Sequence, residues 1–227
     1  HRDVDGVNVF TGIFIDKPHL WWPNGMGEQN LYTAKVSLLN SEGSVEDTIS
    51  TSFGFRSVEI EESVIETDRV GFCFVVNEQP LYARGANWVP LDCFPGRIDP
   101  DKYEKFLKKA KEAHVNMLRI WGGGVDENTL FYELCDRYGI VVWQDFMNAC
   151  SEIPDDNQFF LDMLVKEAEY QVKRLRNHPS VICWCGGNES SSSHMYEPDK
   201  PGRKIVQYYY RGIVTALAKN CLYIPGS

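Results

Sequence analysis

The sequence predicts an α/β fold made of the first half of a (β/α)8 TIM barrel, preceded by part of an all-β sandwich domain. Short runs of alternating apolar and polar residues fill positions 1–76. From position 77 onward, apolar strands alternate with longer amphipathic segments, which is typical of βα units around a parallel sheet. No glycine-rich dinucleotide fingerprint follows the first of these strands, so a barrel is favoured over a doubly wound sheet. We therefore predict two domains, residues 1–76 and residues 77–227.

The N-terminal domain is predicted from alternating runs and the turns between them. Residues 32–38 and 57–61 alternate like half-buried strands, and Pro-Asn-Gly at 23–25 and Ser-Glu-Gly at 41–43 separate such runs. The pattern predicts about four or five strands. Because so few strands do not complete a sandwich, we expect the chain to begin inside this domain.

The barrel half is predicted as four βα units and the beginning of a fifth. Its strands are predicted at residues 81–88, 116–121, 140–145, 181–185 and 222–224. The predicted helices are, in order, one that follows Asp99 and Pro100, one capped by Asp126 that ends at Gly139, one capped by Asp155 and Asp156 that ends near Pro179, and one over 203–219. Since such a half-barrel is not closed, we expect the chain to be a fragment of a longer protein.

Composition limits the partners of the chain. It has 227 residues, of which 43% are hydrophobic and 13% aromatic, enough for a sizeable core. The formal net charge of −9 argues against nucleic acid or an anionic membrane surface as the main partner. The sequence has no apolar run long enough to cross a bilayer, and residues 1–20 show no signal peptide, which leaves the compartment open.

The cysteines predict reduced thiols and no metal centre. Their number is seven, which is odd, and they are scattered over the chain, which does not suit a disulfide framework. Cys183 and Cys185 alternate within an apolar strand, and no Cys or His stands at ligand spacing from them. We therefore expect no metal site.

The C-terminal ends of the predicted barrel strands combine aromatic and polar residues. Barrel active sites are built at these ends. The residues concerned are Asn87 and Trp88, Arg119 and Trp121, Trp143 and Asp145, and Trp184, Asn188 and Glu189. Tryptophan faces stack on sugars while Asn, Asp and Arg hydrogen-bond their hydroxyls, so the combination indicates a carbohydrate site. The alternative is that the tryptophans fill the core and the polar residues cap helices.

Glu189 is the candidate general acid. A carboxylate just beyond an apolar strand is desolvated by Trp184 and its neighbours, which favours the protonated acid near neutral pH. Asn188 beside it can donate a hydrogen bond to a sugar hydroxyl. The alternative is that Glu189 is an acid in the first turn of a helix, stabilised there by the helix dipole.

Six segments together resemble glycoside hydrolase family 2, and within it the β-mannosidase branch. The resemblance is carried by Leu-Trp-Trp-Pro-Asn-Gly at 20–25, Phe-Gly-Phe-Arg at 53–56, Arg-Gly-Ala-Asn-Trp-Val-Pro at 84–90, Asn-Met-Leu-Arg-Ile-Trp-Gly-Gly-Gly at 116–124, Val-Trp-Gln-Asp-Phe at 142–146 and Asn-Glu at 188–189. The first two are similar to the immunoglobulin-like domain that precedes the barrel in that family. The other four are similar to the first four strand ends of its barrel.

The resemblance implies a retaining exo-glycosidase that removes terminal non-reducing β-D-mannose from β-mannosides without a cofactor. It implies that Glu189 is the general acid/base, that Asn188 binds the 2-hydroxyl and that Trp121 lines the subsite of the terminal sugar. Asp145, Arg119, Asn87 and Trp88 are further substrate-binding candidates, or residues that order the rim. Alternatives within the family are an exo-β-glucosaminidase and an endo-β-mannosidase.

The resemblance also implies that parts of the enzyme lie outside these residues. Retaining hydrolysis needs a second carboxylate about 5 Å from the first, and in this family that nucleophile follows a later barrel strand, beyond residue 227. The remainder of the barrel and an N-terminal jelly-roll domain are likewise expected outside the chain. Residues 1–227 alone are therefore expected to be catalytically inert.

Overall fold

The computed structural model of the chain describes residues 2–4, 7–9, 13–66, 69–190 and 201–227. Its first part is antiparallel β structure. β1 (Arg2–Val4) pairs with β2 (Val7–Val9), and β3 (Tyr32–Leu39) pairs with β4 (Val45–Phe53). β5 (Val58–Glu66), β6 (Arg69–Val76) and β7 (Gln79–Leu81) form a three-stranded sheet. The all-β class predicted for the N-terminal part is confirmed.

The second part is a five-stranded parallel sheet in chain order. Its strands are β8 (Gly85–Trp88), β9 (Met117–Ile120), β10 (Val141–Asp145), β11 (Val181–Cys185) and β12 (Leu222–Ile224). Each strand pairs in parallel with the next one along the chain, as in a barrel and unlike a doubly wound sheet. The first half of a (β/α)8 barrel is thereby confirmed. The predicted first strand is wrong at its beginning, because Leu81 ends β7 and the backbone leaves the extended pairing before Gly85.

Four helical segments connect these strands on the outer side of the sheet. α1 (Pro100–Glu112) has Asp99 as its N-cap, as predicted, since the Asp99 side chain accepts from the Asp101 amide. α2 (Thr129–Tyr138) ends at the left-handed Gly139, also as predicted. α3 covers Gln158–Leu175. The last segment is a π-helical stretch, Ile205–Tyr210, that continues into α4 (Arg211–Leu217).

Two of the predicted N-caps are wrong by one or two residues. Asn128 caps α2 and Asn157 caps α3, each with its side chain accepting from the backbone N–H three residues on. The aspartates predicted for this role have other partners. Asp126 accepts from the Gln171 side chain, and Asp155 accepts from the Ile205 amide.

The period-two alternation of the strands divides the core into two layers. Side chains on the outer face, such as Leu118, Val142 and Trp184, pack with the helices in one cluster. Side chains on the inner face, such as Val141 and Cys183, pack instead against β6, β7 and the Trp21 segment. The sheet of β5–β7 therefore packs against apolar side chains of the inner face of the half-barrel.

The N-terminal part is held to the barrel by three side chains from the segments that carry the family resemblance. Arg56 donates to the carbonyls of Pro179 and Val181, at the beginning of β11, and to that of Asn220. The fully buried Trp21 donates its indole N–H to the Asp136 carbonyl over 2.8 Å. Asn24 Nδ2 donates to the carbonyls of Lys111 and Val115, at the C-terminal end of α1.

Candidate active site

The centre of the candidate site is an ion pair between neighbouring strands. Arg119 of β9 and Asp145 of β10 are paired through two hydrogen bonds, from Nε to Oδ1 at 3.2 Å and from Nη2 to Oδ2 at 2.6 Å. Asp145 is completely buried and also accepts from the Gly122 amide and from the Trp143 indole, each at 3.0 Å. Four donors on one buried carboxylate fix the guanidinium in one orientation.

The fixed guanidinium connects the other polar strand ends. Arg119 Nη1 lies 3.3 Å from Asn87 Oδ1, and Nη2 lies 2.8 Å from Asn188 Oδ1 and 2.6 Å from Ser227 Oγ. Asn87, Arg119, Asp145 and Asn188 thus come from four successive strand ends and meet in one hydrogen-bonded cluster. Because Arg119 donates to the Asn188 oxygen, the Asn188 Nδ2 group is available as a donor.

Glu189 follows Asn188 in a turn that leaves the sheet. Asn188 and Ala149 form a parallel bridge beyond the ends of β10 and β11, with the Asn188 amide donating to the Asn148 carbonyl and the Cys150 amide to the Asn188 carbonyl. Glu189 then takes a left-handed φ of 49° and its side chain is exposed. Backbone strain at residues other than glycine with a left-handed φ clusters at functional sites. Residues 191–200 lie outside the described residues, so the alternative of a helix that begins here is not tested.

A glycine pair makes the turn possible. Gly187 has a φ of 147°, and a Cβ there would lie 2.9 Å from the Asn148 carbonyl oxygen. A Cβ on Gly186 would lie 2.2 Å from the Pro225 carbonyl oxygen. The chain can therefore approach both neighbouring strand ends only because these two positions have no side chain.

The tryptophans of the strand ends do not all face the cluster. Trp184 lies in the outer core, where Phe146 stacks on it at 5.0 Å, so the expectation that it desolvates Glu189 is wrong. Trp143 contacts the cluster directly through Asp145. Trp121 is half-buried, and its ring lies so close over Gly123 that a Cβ there would be 2.1 Å from it. Trp121 thus lies against the loop that follows β9, and its role in a sugar subsite stays a prediction.

Trp88 is directed away from the cluster, toward the buried Glu127 and the half-buried Asp126. Its indole N–H donates to Glu127 Oε1 at 2.8 Å, and Tyr103 donates to the other oxygen of the same buried carboxylate. Burial and this hydrogen bond raise the pKa of Tyr103 well above its usual value. Burial also raises the pKa of the neighbouring Asp126 carboxyl to about 6, although Arg174 opposes the shift. This group fastens the 121–128 loop to the helices.

Two contributors to the site were not predicted from the sequence. Cys150 lies between Asn188 and Glu189, accepting from Asn188 Nδ2 at 3.4 Å and donating to Glu189 Oε2 at 3.6 Å. Ser227 Oγ lies beside Arg119 and also 3.7 Å from the buried thiol of Cys185, whose pKa burial raises to about 11. Cys150 lies in irregular backbone beyond the end of β10, where no sequence periodicity could have identified it.

The cluster offers hydrogen-bond groups, which a polyhydroxylated substrate requires, and Glu189 beside it offers a solvent-accessible carboxylate, which a proton transfer requires. Among the residues with described positions, no group of His, Cys, Asp and Glu side chains is arranged to hold a metal ion. Likewise, no helix within the described ranges is both long and apolar enough to cross a membrane. Fold and site together define a barrel domain of the glycoside hydrolase class.

Comparison with known proteins agrees with that class. Residues 2–56 match the family "Glycosyl hydrolases family 2", and residues 70–207 match "Glycosyl hydrolases family 2, TIM barrel domain". The chain therefore belongs to glycosyl hydrolase family 2.

Similar proteins include several β-mannosidases. The chain is 35% identical to beta-mannosidase B of Emericella nidulans over 99% of its length, and 39% identical to the beta-mannosidase of Bos taurus over 94%. It superposes on the β-D-mannosidase structure from Dictyoglomus thermophilum with a TM-score of 0.87, 45% identity and 93% coverage. An exo-chitosanase from Amycolatopsis orientalis gives a TM-score of 0.74 at 25% identity, also over 93% of the chain.

The chain is much shorter than these relatives. It covers 28% and 24% of the two curated β-mannosidases and 26% and 24% of the two structures. The matched part contains the strand ends β8 to β11 described above, with Asn188 and Glu189 among them.

Proposed function

We propose that the protein is a retaining exo-glycosidase that removes terminal non-reducing β-D-mannose, with Glu189 as its general acid/base. The observation that carries the proposal is the cluster of Asn87, Arg119, Asp145 and Asn188 at the C-terminal strand ends, with the exposed Glu189 carboxylate beside it. The similarity to β-mannosidases of 35–45% identity supports the choice of sugar.

The cluster gives Asn188 and Glu189 separate tasks. Arg119 donates a hydrogen bond to the side-chain oxygen of Asn188. The Nδ2 group of Asn188 therefore donates to the 2-hydroxyl of the bound sugar. Glu189 protonates the glycosidic oxygen of the leaving group in the first step and activates water in the second. The nucleophile, the rest of the barrel and an N-terminal jelly-roll domain belong to the proposal as parts outside residues 1–227.

The remaining site residues follow from their positions. Trp121 beside the rim stacks on the terminal sugar, while Asn87 and Arg119 present polar groups to its hydroxyls. Asp145 is completely buried, so its task is to orient Arg119. Trp88 does not contact the sugar. It bonds to Glu127 and thereby orders the 121–128 loop at the rim.

Replacement of Glu189 by Gln in the full-length protein tests the acid/base role. The variant should lose at least about 100-fold in kcat/KM on a methyl β-mannoside, because general acid catalysis contributes factors of this order. On 2,4-dinitrophenyl β-mannoside, whose leaving group needs no proton, kcat/KM should change little. Glu169→Gln on the exposed face of α3 is the matched control. Equal rates of Glu189→Gln and the parent protein on the methyl glycoside would refute the assignment.

A second candidate is an exo-β-glucosaminidase, which the similarity to the exo-chitosanase favours. A panel of 4-nitrophenyl glycosides separates the two sugars. We expect the highest kcat/KM on the β-mannoside, and a clear preference for the β-glucosaminide would replace the first candidate by the second. Preference for an internal mannosyl linkage in a branched oligosaccharide would indicate endo action instead.

A further inference from the structure

A thiol lies between the two residues of the proposed acid/base turn. Cys150 Sγ is 3.6 Å from Glu189 Oε2, to which it donates, and it accepts from Asn188 Nδ2 at 3.4 Å. Cys150 is exposed, whereas Cys135, Cys183 and Cys185 are buried, and burial raises the pKa of each of those thiols. Cys93 is the other exposed cysteine, and it lies in the loop before α1, next to Asp92.

The backbone fixes the thiol in this place. The Cys150 amide donates to the Asn188 carbonyl at 2.8 Å, and the Asn188 amide donates to the Asn148 carbonyl at 2.9 Å. Cys150 has a left-handed φ of 54°, close to the value of Glu189 on the neighbouring turn. L-residues other than Asn and Asp rarely adopt this conformation. These two hydrogen bonds, which form a parallel bridge, hold two unfavourable turns side by side and bring the sulfur to the carboxylate.

We propose that Cys150 is a positioning residue of the proposed reaction: its thiol holds the Glu189 carboxylate and the Asn188 amide in their working orientation. The inference rests on the proposed function. An exposed glutamate samples several rotamers, and a general acid acts only within hydrogen-bond reach of the leaving oxygen. One S–H donor restricts that sampling.

The two hydrogens of the Asn188 amide suit this role. One N–H of Nδ2 is held by the Cys150 sulfur, and the other remains to donate to a sugar hydroxyl. The thiol would thus keep the amide in place before the sugar binds without competing with it afterwards. It does not itself touch the reacting atoms.

Leaving-group dependence tests the proposal in the full-length protein. Cys150→Ala should lower kcat/KM on methyl β-mannoside by about five- to tenfold, the equivalent of one hydrogen bond, and should leave 2,4-dinitrophenyl β-mannoside within about twofold. Cys150→Ser keeps a donor and an acceptor and should restore the methyl glycoside to within about threefold of the parent protein. Cys93→Ala, the matched exposed cysteine, should change neither substrate.

Cys150→Gly guards against a backbone effect, because glycine adopts the left-handed conformation readily. It should show the same selective loss as the alanine variant. Equal losses on both substrates, full activity of the alanine and glycine variants, or equal losses in the alanine and serine variants would overturn the positioning role. Glu189→Gln measured in parallel separates the two proposals: if it shows no selective loss, the proposed function fails, whereas if it does and Cys150→Ala does not, only the role of Cys150 fails.

Discussion

Replacement of Asp145 by Asn changes one charge in the centre of the site and leaves the shape of the side chain unchanged. The carboxylate has no exposed surface and accepts four hydrogen bonds: two from Arg119, one from the Gly122 amide and one from Trp143. An amide offers one acceptor oxygen and turns an NH2 group toward the other donors. Arg119 also loses its counter-charge.

The expected loss in the free energy of unfolding follows from these contacts. Removal of one partner of a buried ion pair destabilises a protein by about 3–5 kcal/mol. The Arg119 side chain keeps 19% of its surface exposed, so water relieves part of the penalty and we expect the lower end, about 3 kcal/mol. Glu169→Gln makes the same chemical change in the exposed Lys173 pair on α3, where it should cost no more than about 0.5 kcal/mol.

The assay is urea unfolding of the full-length variants, followed by circular dichroism and tryptophan fluorescence. Arg119→Gln combined with Asp145→Asn should cost at least about 1 kcal/mol less than the sum of the two single changes, since the pair is removed together. If Asp145→Asn destabilised the protein by no more than Glu169→Gln, the buried pair could not be what organises the cluster.

Three further changes test other parts of the structure. Asn24→Ala removes two hydrogen bonds to the end of α1 and should lower the free energy of unfolding by about 1–2 kcal/mol, whereas an unchanged urea midpoint would contradict that capping role. Gly187→Ala places a Cβ 2.9 Å from the Asn148 oxygen at a φ of 147°, so kcat/KM on 4-nitrophenyl β-mannoside should fall at least about tenfold; wild-type kinetics would show that the turn adapts. Burial raises the pKa of Asp126 from 3.8 to about 6, so the folded protein binds this proton more tightly and loses about 1–2 kcal/mol of stability as the pH rises from 4 to 7. Asp126→Asn should remove that loss, and parallel stability curves for the two proteins would refute it.

The sequence predicted the order of the elements because their signals are local. Asp99 with Pro100, and Gly139 after an amphipathic run, are end signals that tertiary contacts did not override. The predicted caps of α2 and α3 lie too early because more than one Asp or Asn residue that could cap precedes each helix. Which of these residues caps the helix depends on where the backbone turns. Asp126 instead accepts from the Gln171 side chain, and Asp155 accepts from the Ile205 amide.

The predicted polar residues of the strand ends lie together in the structure, whereas two of the predicted tryptophans do not lie with them. Asn87, Arg119 and Asp145 share the inner face, as the two-residue period requires for strands in register. The same period places Trp88 and Trp184, each one residue away from an inward position, on the outer face. Position next to a strand end therefore does not by itself place a side chain in the site. Cys150 lies in irregular backbone, where no periodic signal exists.

Arg56 lies at the opposite pole of the strands from Glu189. It donates to the carbonyls at the beginning of β11, while the proposed acid/base turn follows the end of that strand, about 13 Å further along its axis for the four residue steps of Val181–Cys185. Attachment of the N-terminal β structure and the proposed sugar site thus lie at separate ends of the same strand. Because the two regions are separate, we expect substitutions in the loops around Glu189 to leave the Arg56 contacts intact, and substitutions at Arg56 to leave the proposed chemistry unchanged.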